Sequence, residues 1–165
     1  LEQGKRLSAR EPELVTQFNA QLGDAYNSIK EYKKSDEAYD AVLSQDPNNE
    51  HVLNNYSYFL SLRGEQLPKA KAMAGRLVEQ HPANRTYLDT YAWVLYKMED
   101  YEGALKYLEQ AIAVSEDATI VEHYGDVLFK LGKKDEAVRQ WEKAKLKGEA
   151  SAFLNRKIKE KKLYE

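Results

Sequence analysis

The sequence predicts an all-α protein, built as a solenoid of stacked, antiparallel helix pairs. Small residues recur at intervals of 34, 35 and 33 positions, at Gly23, Ser57, Ala92 and Gly125. The apolar residues around them are spaced by three, four and seven positions, which is helical periodicity, and no stretch alternates as a strand does. A helix pair of this length cannot bury its apolar face alone, so each pair must stack on copies of itself.

Each unit repeats a second small position, twelve or thirteen residues after the first. In the four units this position holds Ser35, Ala70, Ala104 and Ala137. A larger side chain would hold the backbones of neighbouring helices apart, so we interpret both small positions as close helix crossings.

The turns give the bounds of the units. The segments QDPNNE at 45–50 and QHPANR at 80–85 combine Pro with polar residues that can end one helix and begin the next. Pro68 suits the first turn of a helix, and Gly64 and Gly132 suit the turn between the two helices of a unit. We therefore expect one domain over 1–165 with four complete units, at 16–49, 50–84, 85–117 and 118–148.

Both ends of the stack are expected to be helical. Residues 1–14 are interpreted as the second helix of a truncated preceding unit, and residues 150–162 as a closing helix. The start at Leu1 rather than Met favours a fragment or a processed form, and without a signal peptide it leaves cytoplasm and periplasm both open.

Composition excludes several classes of function. The net charge is −2, so no overall positive field draws the chain to nucleic acid or anionic lipid. The absence of cysteine excludes disulfides and thiol chemistry, and no apolar run approaches the length of a membrane span. The segment 142–165 has a net charge of +4, but we interpret it as the polar outer face of the closing helix, with Phe153, Leu154 and Ile158 turned inward. A patch for nucleic acid or an acidic partner is the less favoured alternative.

The repeated positions resemble the tetratricopeptide repeat, a 34-residue unit with a W…L-G…Y…A…F…A…P skeleton. The segment LGDAY at 22–26, followed by Tyr39 and DPNN, and the segment YAWVLYKMEDYEGALKYLEQAI at 91–112 carry the resemblance best, and it covers nearly the whole chain. The general form resembles bacterial members, some of which are envelope lipoproteins. The resemblance implies a right-handed superhelix with a C-terminal capping helix. It also implies a groove, lined by the first helix of each repeat, that binds a peptide or a partner protein.

Ten groove positions are candidate ligand contacts, and they combine carboxylates with aromatic rings. They are Asp24, Asn27, Asn54, Tyr58, Asp89, Trp93, Tyr96, Glu122, Asp126 and Phe129. Some tetratricopeptide proteins hold a C-terminal carboxylate with Lys, Asn and Arg at such positions, but no basic residue occupies them here, so that ligand is not expected. Aromatic rings edged by carboxylates favour an extended segment that offers Lys or Arg beside apolar side chains. The rings could equally pack on one another, and the carboxylates could form a solvated face.

No catalytic, cofactor or metal site is expected. His51, His81 and His123 lack metal-ligand spacing, and no nucleophile elbow or phosphate loop is present. A carboxylate pair such as Asp89 and Glu122 could act as general acid and base, but any acidic groove offers such a pair. Two classes of function follow. The first is a non-catalytic binding module within a larger protein or complex. The alternative is a structural scaffold that self-associates through the N-terminal helix at 1–9.

Overall fold

The computed structural model describes residues 2–148 and 150–164. Over these ranges the chain forms nine helices and no strand, which confirms the all-α class. The helices are α1 Glu2–Ser28, α2 Tyr32–Gln45, α3 Glu50–Arg63, α4 Leu67–Gln80, α5 Arg85–Lys97, α6 Tyr101–Val114, α7 Ala118–Lys130, α8 Lys134–Lys147 and α9 Leu154–Glu160.

The helices pack in four pairs, α1 with α2, α3 with α4, α5 with α6 and α7 with α8. A connection of three residues joins the helices of every pair. The helices α1, α3, α5 and α7, which we call the first helices, also contact one another in succession, because α1 meets α3, α3 meets α5 and α5 meets α7. They therefore lie side by side along one surface of the stack, and we call this surface the groove.

Side-chain caps fix the starts of the first helices. The Oδ1 atom of Asn49 accepts the Val52 N–H at 3.1 Å, and Asn84 does the same for Thr86 and Tyr87. These bonds satisfy backbone donors that a helix start leaves without a partner. The polar residues after Pro47 and Pro82 thus begin α3 and α5 where the sequence predicts.

The small positions are close crossings, as expected. A Cβ atom added to Gly23 would lie 2.4 Å from the ring of Tyr39, and one added to Gly125 would lie 2.6 Å from the ring of Trp141. The second small residues of all four units are fully buried, at Ser35, Ala70, Ala104 and Ala137. A large ring packed against a bare backbone is therefore what holds the two helices of these pairs together.

Residues 2–14 do not form the separate helix that the sequence suggested for 1–14. Helix α1 runs without a break to Ser28, while Leu1 lies outside the described residues. Pro12 lies inside this helix, and the Thr16 hydroxyl donates to its carbonyl oxygen at 2.9 Å. Pro12 is followed by Glu-Leu-Val rather than by polar turn residues, so no turn signal ends the helix there. The division into repeats stays a prediction.

The closing helix also differs from expectation. Helix α9 spans seven residues, fewer than the expected 150–162, and it packs on α8 with Leu154 and Ile158 in the last core cluster. Phe153 is 42% exposed instead of facing inward, whereas the Lys157 side chain, expected on a polar outer face, is buried.

Candidate binding groove

The ten candidate residues lie on all four first helices, and most of their polar groups bond to protein rather than facing open solvent. Asp24 is the first example. Its carboxylate accepts hydrogen bonds from the Tyr39 hydroxyl and from Asn55 Nδ2, the latter at 3.0 Å, and it lies 2.8 Å from His51 Nε2. Burial alone would raise the pKa of Asp24, but these three bonds lower it below its ordinary value. Asp24 therefore joins α1 to both α2 and α3.

Asp89 makes the corresponding link between α5 and α7. Its Oδ1 atom lies 2.8 Å from His123 Nδ1, and both side chains are largely buried. Burial opposes the charged imidazole, but the Asp89 carboxylate outweighs burial and raises the pKa of His123. Burial and the same carboxylate raise the pKa of the Tyr58 hydroxyl on the neighbouring helix α3.

The aromatic residues form a stacked column. The Trp93 ring lies between Tyr96, with a centroid distance of 4.6 Å, and His123, at 4.2 Å. The edge of Tyr101 closes the column at 5.6 Å from Tyr96. Trp93 is 8% exposed and Tyr58 packs against the same core cluster, so the rings serve mainly as packing between repeats. The open aromatic ledge suggested by the sequence is not present at Trp93 and Tyr96.

Glu122 and Asp126 are not free anionic groups, because both bond to the same cation within the chain. Lys157 Nζ lies 2.8 Å from Glu122 Oε1 and 2.8 Å from each carboxylate oxygen of Asp126, and all three residues are at most 3% exposed. The Ser151 N–H also donates to Glu122 at 2.7 Å, and Trp141 Nε1 donates to Asp126 at 2.9 Å.

The buried cluster has two carboxylates for one lysine, and their pKa values move in opposite directions. Burial raises the pKa of Asp126 to about 6, because Lys157 offsets the burial only in part and the Glu122 charge adds to it. Burial also acts to raise the pKa of Glu122, but the bonds from Lys157 and Ser151 outweigh it and lower that pKa. Both acids are therefore engaged with Lys157, and their attraction for a basic ligand, expected from the sequence, stays a prediction.

The three remaining candidates are less enclosed. Asn27 and Asn54 are half-buried on α1 and α3, and the Asn54 amide nitrogen lies 3.4 Å from Asn55 Oδ1. Phe129 is half-buried and stacks on Trp141 with a centroid distance of 5.7 Å. Phe129 therefore extends the core toward the surface of α7.

A cavity of about 250 Å³ opens into the groove beside the aromatic column. It lies between α5, α7 and the segment after α8, and its apolar walls come from Leu62, Trp93, Phe153 and Tyr164. Leu62 and Phe153 are 48% and 42% exposed. An engineered cavity of roughly 150 Å³ already holds benzene, so this one has room for a large apolar side chain. The carboxylates in its wall are the two that bond to Lys157.

The described residues contain no group of three or more His, Asp or Glu side chains placed to hold a metal ion. Within the same ranges no helix is both long and apolar enough to cross a membrane.

Comparison with known proteins agrees with the repeat architecture. A family model of the tetratricopeptide repeat matches residues 16–49, and a model described as anaphase-promoting complex, cyclosome, subunit 3 matches residues 64–144. A TPR repeat-containing protein of Pseudomonas aeruginosa is 28% identical over 85 residues, which are 52% of this chain and 14% of the relative. The chain thus spans about a seventh of that relative's length.

Solved structures show the same fold at low identity. A thermophilic TPR protein from Thermus thermophilus superposes with a TM-score of 0.74 at 16% identity, covering 97% of this chain and 86% of its own. YrrB, reported as a TPR protein with an unusual peptide-binding site, superposes with a TM-score of 0.64 at 22% identity, covering 86% of this chain and 73% of its own. These superpositions confirm the predicted class, a right-handed α-solenoid of helix pairs.

Proposed function

Because the chain belongs to the tetratricopeptide repeat family, whose members generally mediate contacts between proteins, we propose that it is a non-catalytic binding module. Its ligand is an extended segment of a peptide or partner protein, and it binds on the concave groove lined by α1, α3, α5 and α7. The peptide-binding site reported for YrrB supports peptide binding as a use of this fold.

The cavity beside Trp93 is the observation that carries this proposal. It is concave, its walls are mainly apolar, and the exposed side chains of Leu62 and Phe153 are part of these walls. Binding sites for small groups are cavities of this kind, with a few polar atoms that fix orientation. The ligand segment therefore offers an apolar or aromatic side chain as its anchor.

The paired charges argue against a basic anchor. A lysine or arginine entering the cavity would meet carboxylates that already bond to Lys157, so it would have to displace a buried cation. Asp24 and Asp89 are also engaged, with His51 and His123. An uncharged anchor needs no such exchange, because it only transfers apolar surface out of water.

The test is to select peptides from a displayed random library on the immobilised protein, and to measure their affinity by fluorescence polarisation. Leu62→Glu and Phe153→Glu change partly exposed side chains of the cavity, so folding is retained. Loss of one apolar anchor contact is worth roughly 1.5–3 kcal/mol, so each variant is expected to bind at least tenfold more weakly.

Leu146→Glu is the matched control. Leu146 is an apolar residue that is 89% exposed on α8 and lines no part of the cavity, so this variant is expected to bind as the parent does. Enriched peptides that bind both cavity variants as tightly as the parent would contradict the proposed site. A library that yields no peptide above background would contradict the peptide-binding function itself.

A further inference from the structure

The cavity beside Trp93 is built from two parts of the chain. The first helices contribute Leu62 and Trp93 to its apolar walls, and the segment 151–164, which we call the strap, contains α9 and contributes four further residues. These four are Ser151, Phe153, Lys157 and Tyr164. The cavity is therefore complete only while the strap lies on the first helices.

The strap is held by polar bonds to α7 and by apolar contacts of α9 with α8. Lys157 Nζ lies 2.8 Å from Glu122 Oε1 and 2.8 Å from each carboxylate oxygen of Asp126. The backbone N–H of Ser151 donates to Glu122 at 2.7 Å. Helix α9 packs on α8 with the side chain of Leu154 buried. Because these interactions lie at one end of the stack, the strap can leave it while the helix pairs stay folded.

The strap follows a glycine that can act as a hinge. Gly148 ends α8 with a φ of 144° and a ψ of −161°, a backbone conformation that essentially only glycine adopts. A Cβ atom added to Gly148 would meet no other part of the protein within 4 Å, so the backbone angles require the glycine and lack of space does not. Hinges are commonly residues at the ends of elements that absorb a change in φ and ψ. Gly148 therefore allows the strap to change its direction relative to α8.

The docked strap leaves the ligand site open. With the strap in place the cavity measures about 250 Å³, and Leu62 and Phe153 remain 48% and 42% exposed. A strap that blocked the groove would fill this space with its own side chains. The strap therefore forms part of the site and does not occupy it.

We propose that the strap and the ligand stabilise each other, because the apolar anchor of the ligand contacts the strap and the first helices at once. This inference rests on the proposed function, since it concerns the same cavity. An anchor in the cavity can contact the first helices in every state of the strap, but it contacts Phe153 and Tyr164 only when the strap is docked. The ligand therefore binds the docked form more tightly and shifts the docking equilibrium toward it. The effect is reciprocal, so loss of docking weakens ligand binding.

Hydrogen exchange measured by mass spectrometry tests one direction of this coupling. The probe is the tightest peptide selected from the displayed library. At a peptide concentration of about 100 times its Kd, exchange over residues 151–160 is expected to slow by up to about a hundredfold, because a peptide that binds only the docked form suppresses undocking by that factor. Exchange in α2, at the other end of the stack, is expected to stay unchanged.

The variant Leu154→Asp tests the other direction. Leu154 is 5% exposed on α9 and does not line the cavity, so an Asp at this position undocks the strap and leaves the cavity residues unchanged. Faster exchange over 151–160 in the free variant, with unchanged exchange in α5, checks this effect. The variant is expected to bind the peptide at least about tenfold more weakly, because contacts with Phe153 and Tyr164 are lost. Asn155→Asp is the matched control, since it adds the same carboxylate at an exposed position of α9 and is expected to bind as the parent does.

The outcomes separate this coupling from the proposed function. If the peptide loses affinity for Leu62→Glu but leaves exchange over 151–160 unchanged, or binds an undocked Leu154→Asp as tightly as the parent, the coupling is overturned and the ligand site is kept. Tighter binding by Leu154→Asp would also overturn the coupling, because the strap would then block the site. A library that yields no binding peptide, or a peptide that binds Leu62→Glu as tightly as the parent, would overturn the proposed function and the coupling with it.

Discussion

Replacing Lys157 by Ala is expected to release the C-terminal helix from the stack. In the parent, the Lys157 ammonium lies 2.8 Å from three carboxylate oxygens and is withdrawn from water. Its removal leaves Glu122 and Asp126 buried beside each other without a compensating charge. Removing one partner of a buried ion pair costs about 3–5 kcal/mol.

The loss of stability that can be observed is limited to the free energy that holds α9 on the stack. Once α9 undocks, water reaches both carboxylates and they are no longer buried. Leu154 is buried and Ile158 is partly buried on α9, and each apolar side chain contributes at most about 1.5–3 kcal/mol. We therefore expect Lys157→Ala to lower the free energy of α9 docking by about 3 kcal/mol and to leave the four helix pairs folded. Hydrogen exchange measured by mass spectrometry should show faster exchange over residues 151–160 with unchanged protection in α5.

The control is Lys159→Ala, which removes an exposed lysine from the same helix and should not change exchange. Combining Lys157→Met with Glu122→Gln and Asp126→Asn removes all three charges, so this variant should recover much of the docking. If Lys157→Ala and Lys159→Ala change exchange by the same small amount, the buried cluster does not hold α9.

Two further predictions concern the stack. Ala favours helix over Gly by up to about 1 kcal/mol. Gly125→Ala should nevertheless lower the melting temperature, because its Cβ atom would lie 2.6 Å from the Trp141 ring. In Gly75→Ala the nearest atom to the added Cβ is 3.6 Å away, so the melting temperature of this control should equal or exceed that of the parent. In NMR titrations the pKa of His123 should lie above its ordinary value of 6.5, and Asp89→Asn should lower it, because burial is then opposed only by the charges of Asp126 and Glu122. The stabilisation that the Asp89–His123 pair contributes is then complete below pH 6.5, and it declines as the pH rises through the pKa of His123 in the folded protein. If His123 titrated equally in the parent and in Asp89→Asn, Asp89 would not be the cause of the raised pKa.

The fold could be predicted from sequence because each of the repeated sequence signals corresponds to one structural requirement. Gly23 and Gly125 recur in the same setting, and both meet a large ring at a distance that excludes a Cβ atom. Asn49 and Asn84 follow a proline and cap the next helix. The caps depend on backbone geometry within a few residues, so they do not require knowledge of the tertiary structure, whereas the glycines are recognised by their recurrence at the repeat interval.

The N-terminal helix shows where local signals fail. Pro47 and Pro82 end helices, but Pro12 lies inside one, and the difference comes from the residues that follow. A proline removes one hydrogen bond and disfavours helix, yet it imposes a stop only when the next residues can turn. The expectation of a separate helix over residues 1–14 was therefore wrong, because no turn follows Pro12.

The groove carboxylates were placed on the correct helices but given the wrong partners, and the repeat period explains why. Consecutive first helices lie side by side, so residues one repeat apart in sequence are neighbours across the helix contact. His123 follows Asp89 by 34 positions, and Lys157 follows Glu122 by 35. Helical periodicity indicates which side of its own helix a residue occupies. The residue that faces it on the next first helix is indicated only by the interval of one repeat. In this chain Asp24 and Asp89 therefore join successive first helices, and Glu122 and Asp126 hold α9 to α7. The cavity beside Trp93 remains the proposed ligand site.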